Sequence, residues 1–204
     1  MKQMPDNCVD LVLTDPPYGI NAYSTGTMGG GVLAKQSTFK ATDWDSHIPP
    51  KESFEQMLRV SKNQIIFGGN YFANYLPNSS CWIIWDKDNG DNNFADCELA
   101  WTSFKTAARK FLWKWQGMLQ ERMGELKEKK YHPTQKPIGL MQKILTKYTD
   151  EGQTVLDCYS GSGSISVACE KMGRNYIGIE ISPEYCEIAR KRVQEAKDSM
   201  GLFK

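Results

Sequence analysis

The segment Val155-Leu156-Asp157-Cys158-Tyr159-Ser160-Gly161-Ser162-Gly163-Ser164 leaves few folds open to this chain. A short apolar run ending in a carboxylate reads as a buried strand. Gly161 and Gly163 then allow a tight turn and a close backbone approach to a ligand. A helix opening near Ser164 points its free N–H groups toward the same place. The pattern predicts a strand over Thr154–Cys158, a helix over Ser164–Met172, a strand over Tyr176–Glu180 and a helix over Pro183–Ala196. Ahead of them, Ile138, Met141, Ile144, Leu145 and Tyr148 form one face of a helix over Pro137–Tyr148. Helix and strand alternating in short steps imply an α/β fold. The expected form is a doubly wound, mostly parallel sheet with helices on both faces, a three-layer sandwich.

The first half carries further strand signals at Cys8–Thr14, Asn63–Phe67, Ser80–Trp85, Cys97–Thr102 and Phe111–Trp115, and a helix over Pro50–Ser61. Phe72–Leu76 reads as a short helix or turn. Met118–Lys130 is polar and reads as partly helical or flexible. Gly19–Asp45 is long, polar and glycine-rich, and is expected to be a mobile loop that closes as a lid. At 204 residues the whole chain, 1–204, fits one domain with a real core.

Composition narrows the function classes. The 25 Lys+Arg nearly balance the 24 Asp+Glu, for a net charge of +1, so bulk charge neither advertises nor excludes nucleic acid. Basic residues gather at Lys127–Lys130 and at Lys105, Arg109, Lys110 and Lys114. Six widely spaced cysteines without a CxxC pair, and only two histidines, argue against a structural zinc site; no metal is expected. Most cysteines lie in apolar runs and are expected to be buried. No apolar run approaches eighteen residues. The expectation is a soluble protein of a reducing compartment, the cytoplasm, without a membrane span.

Two clusters carry chemistry. Asp157 ends one strand, where it can accept from an ammonium group. Glu180 ends the next, where a carboxylate can take both hydroxyls of a ribose. The glycine pattern is GxG, with Ser166 at the third position and no arginine beside the acidic one. That disfavours a dinucleotide, and S-adenosylmethionine fits better. At the other end of the chain Asp15-Pro16-Pro17-Tyr18 follows a strand. The prolines force the backbone out of the sheet into a fixed loop bearing a carboxylate, carbonyls and a ring. Such a cluster suits a flat ligand with an amino group, such as a nucleobase.

With both clusters in view, the chain resembles the beta-class amino-directed DNA methyltransferases, in which the catalytic motif precedes the cofactor motif. Asp15-Pro16-Pro17-Tyr18 is similar to their catalytic motif. Tyr159-Ser160-Gly161-Ser162-Gly163 is similar to their cofactor motif, with tyrosine in place of the usual phenylalanine. His132-Pro133-Thr134-Gln135-Lys136-Pro137 resembles the segment leading into the first cofactor-side helix, and Glu180 the ribose acid. Trp82-Ile83-Ile84-Trp85-Asp86-Lys87 resembles the strand that supports the catalytic loop. The family pattern also has a strand before the catalytic one, ending in an acidic residue near the cofactor adenine; it is expected to be missing here.

The resemblance implies methyl transfer from S-adenosylmethionine to an exocyclic amine of DNA. Asp15 and the Pro16 carbonyl would accept the amine hydrogens, beside Pro17, and Tyr18 would stack on the extruded base of a duplex. Asp157, Tyr159, Gly161, Gly163 and Glu180, with Thr134, Gln135 and Lys136, would hold the cofactor. Aspartate heading the motif favours adenine N6 over cytosine N4. A small target-recognition insert is expected around 116–131, and restriction-modification is the expected setting. A homodimer would enlarge the grip of so small a protein on a duplex.

Other readings stand beside this one: an RNA methyltransferase, a protein-glutamine methyltransferase (disfavoured by Asp15 in place of asparagine), or a binding module without turnover. Lys136 has three candidate settings: cofactor, DNA phosphate or solvent. Asp86 and Lys87 are expected to form a supporting ion pair, His132 to cap a turn, and Trp85, Trp101 and Trp113 to pack in the core.

Overall fold

The computed structural model describes residues 1–21, 27–28, 37–38, 45–90, 95–116 and 119–201. Seven strands build one sheet: β1 Val9–Thr14, β2 Ser61–Phe67, β3 Trp82–Asp86, β4 Cys97–Thr102, β5 Arg109–Leu112, β6 Thr154–Asp157 and β7 Asn175–Gly178. Their order across the sheet is β7-β6-β1-β2-β4-β3-β5. The four neighbours β7, β6, β1 and β2 run parallel. β4 alone is reversed, antiparallel to both β2 and β3, and β5 returns parallel to β3 at the far edge. The sheet is therefore mixed rather than simply parallel, with the reversed strand set between two that follow the common direction.

Strand alternation divides the core. Leu11, Leu13, Ile65, Phe67, Ile83, Trp85 and Val155 point to one face, where helices α2 (Ile138–Tyr148) and α3 (Ser164–Lys171) cover them. Val12, Ile66, Trp101 and Leu156 point to the other, under α1 (Lys51–Val60). Period-two side chains buried on both faces are what a central strand requires. Helix α1 buries Phe54, Met57 and Val60, one per turn. Helix α4 (Pro183–Gly201) packs Val193 and Ala196 against Val167 of α3, and runs five residues beyond the expected Ala196.

One sequence expectation changes here. Phe111, Trp113 and Trp115 alternate, which reads as a strand, yet the paired strand is Arg109–Leu112. The Trp113 ring instead lies where a side chain at Gly139 of α2 would be, and its carbonyl accepts from Trp85 Nε1 at 2.9 Å. Burial of the indoles, rather than strand pairing, sets that period. Within 118–130 the described residues contain only a 3-10 turn, Gly124–Leu126, and a two-residue ribbon joining Trp115–Gln116 to Leu119–Gln120. The turn expected at Phe72–Leu76 is present, closed by Tyr75 N donating to the Phe72 carbonyl at 2.8 Å, and a 3-10 turn over Gly69–Tyr71 leads into it.

Cys81, Cys158 and Cys169 are buried, but Cys8 and Cys97 are exposed, so burial holds for half of the six cysteines. No cluster of metal-ligating side chains occurs among the described residues, and no described helix is long and apolar enough to cross a membrane. The proposed lid, Gly19–Asp45, falls largely outside the described residues.

Candidate active site

Parallel pairing of β1 with β6 brings the two ends of the chain together. Leu11 faces Val155 and Val12 faces Leu156, so the two strands release their chains at the same edge of the sheet. Thr14 Oγ1 donates to Asp157 Oδ1 at 2.7 Å, and Cys158 N donates to Thr14 Oγ1 at 3.1 Å. One buried hydroxyl thus ties the Asp15 loop to the cofactor strand across 143 positions of sequence. Ligands of open α/β sheets bind at such carboxyl strand ends.

The Asp15 loop is held from two sides. Asp45, buried, accepts the backbone N–H groups of Tyr18 and Gly19 at 2.7 and 3.0 Å through Oδ1. Tyr18 donates its hydroxyl to Asp15 Oδ1 at 2.5 Å, and its ring stacks on Tyr71 at 4.9 Å, 14° from parallel. Gly68, at φ +70°, makes room for that ring: a Cβ there would fall 2.2 Å from Tyr18 Cε1. The other Asp15 oxygen, Oδ2, accepts from Lys136 Nζ at 2.5 Å, across 121 positions. Lys136 Nζ also lies 3.1 Å from Glu98 Oε2, and Glu98 Oε1 lies 2.6 Å from Lys87 Nζ. Four charges of alternating sign therefore line up inward from the loop.

Burial pushes the Asp15 carboxyl up, with Lys136 pulling against it. Burial would neutralise Lys136, but Asp15 and Glu98 outweigh it and hold the ammonium charged, above the usual lysine value. Glu98 would likewise rise on burial, but Lys136 and Lys87 keep it below the usual carboxylate range.

The cofactor-side turn is built from one carboxylate, two glycines and one arginine. Glu180 accepts from Gly161 N through Oε2 at 2.7 Å and from Ser182 N through Oε1 at 2.8 Å, which clamps the turn to the end of β7. Asp157 is 3% exposed and takes its hydrogen bonds, from Thr14 Oγ1 and Tyr159 N, on Oδ1 alone; among the described residues Oδ2 accepts none. Burial raises its pKa to about 7. A carboxylate oxygen without a donor among the described residues, beside an acid that can take a diol, fits the ammonium and ribose of S-adenosylmethionine. Arg192, from α4, donates to the Ser162 carbonyl at 2.5 Å and to Ser162 Oγ at 2.9 Å, bracing the turn from behind.

Gly163 sits at φ +80°, where a Cβ would fall 2.7 Å from the Ala189 Cβ of α4. Gly163→Ala is expected to cost roughly 1–3 kcal/mol through left-handed strain and overpacking. Thermal melting with and without S-adenosylmethionine measures it. An unshifted transition would show that α4 simply moves aside.

The structure brings Asp15, Pro16, Pro17, Tyr18, Asp157, Tyr159, Gly161, Gly163 and Glu180 to one edge of the sheet. The Lys136 ammonium is buried between Asp15 and Glu98 rather than turned to solvent. Gln135 is engaged structurally, its Oε1 accepting from Tyr131 N at 2.9 Å and Ser162 Oγ at 3.2 Å. Thr134 hydrogen-bonds His132 Nδ1 through its backbone N–H at 3.2 Å, the expected turn cap. The expected Asp86–Lys87 pair does not form. Successive strand residues point to opposite faces, so Asp86 pairs with Lys110 at 3.1 Å and Lys87 with Glu98. Trp85, Trp101 and Trp113 are buried in the core. Sequence reasoning missed Thr14, Asp45, Glu98 and Arg192. Glu98 carried a signal, as the one charge in the apolar strand Cys97–Thr102.

The comparisons agree with this geometry. Residues 86–191 match the family described as DNA methylase, of the N6/N4 type. Type II methyltransferase M2.MboI of Moraxella bovis is 32% identical over 96% of this chain and 84% of its own length. Type II methyltransferase M.HinfI of Haemophilus influenzae is 27% identical over 97% of this chain, which spans 66% of its length. Among solved structures, the M1.HpyAVI–SAM complex is 27% identical, with a TM-score of 0.58 over 94% of this chain and 90% of that one. A family pattern across just over half of the chain, on a sheet that sets the two clusters side by side, shows that the chain belongs to the amino-directed (N6-adenine or N4-cytosine) DNA methylases, S-adenosylmethionine-dependent methyltransferases of DNA.

Proposed function

We infer that the protein methylates the N6 amine of adenine in duplex DNA, with the base extruded into the Asp15 loop. The observation that carries this reading is the Thr14–Asp157 hydrogen bond, which holds the acceptor loop against the cofactor strand. Aspartate at the head of the catalytic motif is what favours adenine. We take 1–204 as one catalytic domain, with 116–131 as its recognition insert and a second copy as its partner on DNA.

Asp157 Oδ2 and Glu180 would hold the cofactor's ammonium and ribose, and the 161–163 turn would pass beneath it. When bound, S-adenosylmethionine supplies a methyl group on a positively charged sulfur. The chain's own residues act on the amine, whose lone pair is otherwise delocalised into the base ring. Asp15 and the Pro16 carbonyl accept its two hydrogens and hold the nitrogen closer to tetrahedral. On taking the methyl that the bound donor would supply, with the electron pair of the broken S–C bond left on the neutral thioether, the nitrogen would carry a positive charge, and Asp15 would take its proton and pass it to solvent. The stacked pair Tyr18–Tyr71 offers ring surface to the flipped base.

The test is nucleoside analysis of unmethylated amplified genomic DNA after incubation with the protein and labelled S-adenosylmethionine. N6-methyladenine is expected. N4-methylcytosine as sole product would overturn the base assignment, and label entering RNA but not DNA would overturn the substrate.

A further inference from the structure

We propose that Glu98 is a positioning residue for the methyl transfer, acting through a lysine with two seats: Lys136 caps Asp15 while the site is empty and passes to Glu98 as the amine of the base arrives. The proposal rests on the amino-methyltransferase reading above.

Three observations carry it. Both Asp15 oxygens are already engaged, Oδ1 by the Tyr18 hydroxyl and Oδ2 by Lys136, so an entering amine meets an occupied carboxylate. Glu98 Oε2 is buried and accepts no hydrogen bond among the described residues, although Lys136 Nζ is only 3.1 Å away. It is close enough for an ion pair but not aligned as an acceptor, so a small shift of the ammonium would complete a bond the protein has left unmade. Finally, Lys87 fixes the far oxygen of Glu98 at 2.6 Å, so the second seat is rigid. Lys136 is 7% exposed, so leaving both carboxylates at once would strand a largely buried ammonium. An ammonium between two partly buried carboxylates can change partner at small cost, because each position is a charge-assisted contact.

The charges that bear on Asp15 come from every side. Lys136 opposes its burial, Glu98 repels it, and Tyr18 donates to it. Behind them, Lys87 pairs with Glu98, His132 lies within range of Lys136, and Asp157 adds negative charge from β6. Removing Glu98 takes away a repelling charge, so the acid limb of the rate profile, set by Asp15, should move to lower pH. It also takes away the second seat, so the lysine stays on Asp15 and the rate should fall. A slower enzyme with a more acidic limb is the signature of the two-seat lysine.

Single-turnover methylation of unmethylated amplified genomic DNA, at saturating labelled S-adenosylmethionine and across pH, tests this with Glu98→Gln, Lys136→Met and the double variant. Expected for E98Q are a tenfold or greater loss of rate at the optimum, an acid limb at lower pH, and S-adenosylmethionine binding within twofold of the parent. Expected for K136M is an acid limb at higher pH, with E98Q costing nothing further in that background. E98Q within twofold of the parent, a slow E98Q with an unmoved limb, or losses that multiply in the double variant would each overturn the proposal. Where E98Q alone folds too poorly to assay, K136M against K136M/E98Q decides: equal rates support it, and a further fivefold loss overturns it. A parent protein without methyl transfer would instead fail the function itself.

Discussion

Asp15→Ala is expected to lower the single-turnover rate by about a hundredfold or more while leaving S-adenosylmethionine affinity within a few-fold of the parent. The carboxylate stands on the Asp15 loop rather than in the Gly161–Gly163 turn, so its loss would remove the interaction proposed with the reacting amine. The fold should survive. Lys136, left without Asp15, remains 3.1 Å from Glu98, so the substitution does not strand a buried charge. Asp15→Asn makes a finer test. Tyr18 and Lys136 both donate to this side chain, one to each oxygen. An amide must turn its NH2 toward one of those donors, so the isosteric variant should also be slow, though less so than alanine. Near-parental turnover by D15A would remove Asp15 from the chemistry and with it the proposed geometry.

The parts of this site that were legible in the sequence are those whose chemistry is local. A strand ending in Asp157, a turn through Gly161 and Gly163, and an acid at Glu180 lie within one strand–helix–strand step. Both glycines indeed adopt positive φ, and Glu180 clamps the turn they make. The catalytic loop was legible for the same reason, since two prolines after an apolar run can only leave a sheet. What was not legible depends on which strands become neighbours. Glu98 reaches Lys136 because β4 is inserted in reverse between β2 and β3, and no period within Cys97–Thr102 encodes its partner strands. Neighbouring residues also mislead when a strand alternates: Asp86 and Lys87 look like a pair in sequence but face opposite ways. The same alternation made Phe111, Trp113 and Trp115 read as one strand, whereas Trp113 packs at Gly139 of α2 and Trp115 pairs with Gln120 in a separate ribbon.

S-adenosylmethionine binding is expected to weaken close to tenfold between pH 7.5 and pH 6, and the dependence should vanish in Asp157→Asn. Burial lifts the Asp157 pKa to about 7, so below that pH the empty site holds a neutral acid. An ammonium arriving at Oδ2 favours the carboxylate. Binding therefore expels a proton in acid, and affinity falls by up to a factor of ten for each further pH unit. In the ligand-free protein the sign is opposite. A folded-state pKa raised above the unfolded value gives stability that is present in acid and lost as pH rises through about 7. Cofactor and proton thus compete for one carboxylate, and the methyl donor stabilises the fold most where the empty site is least stable. Asp157→Asn keeps the shape and the Thr14 contact but cannot take the charge, so it should bind weaker at pH 7.5 by about 1.5–3 kcal/mol, with a flat pH profile. Calorimetry at several pH values, in buffers of different ionisation enthalpy, counts the proton directly. Equal affinity from pH 6 to 7.5, with no proton released, would take the ammonium away from Asp157 and require another group on the turn to hold it.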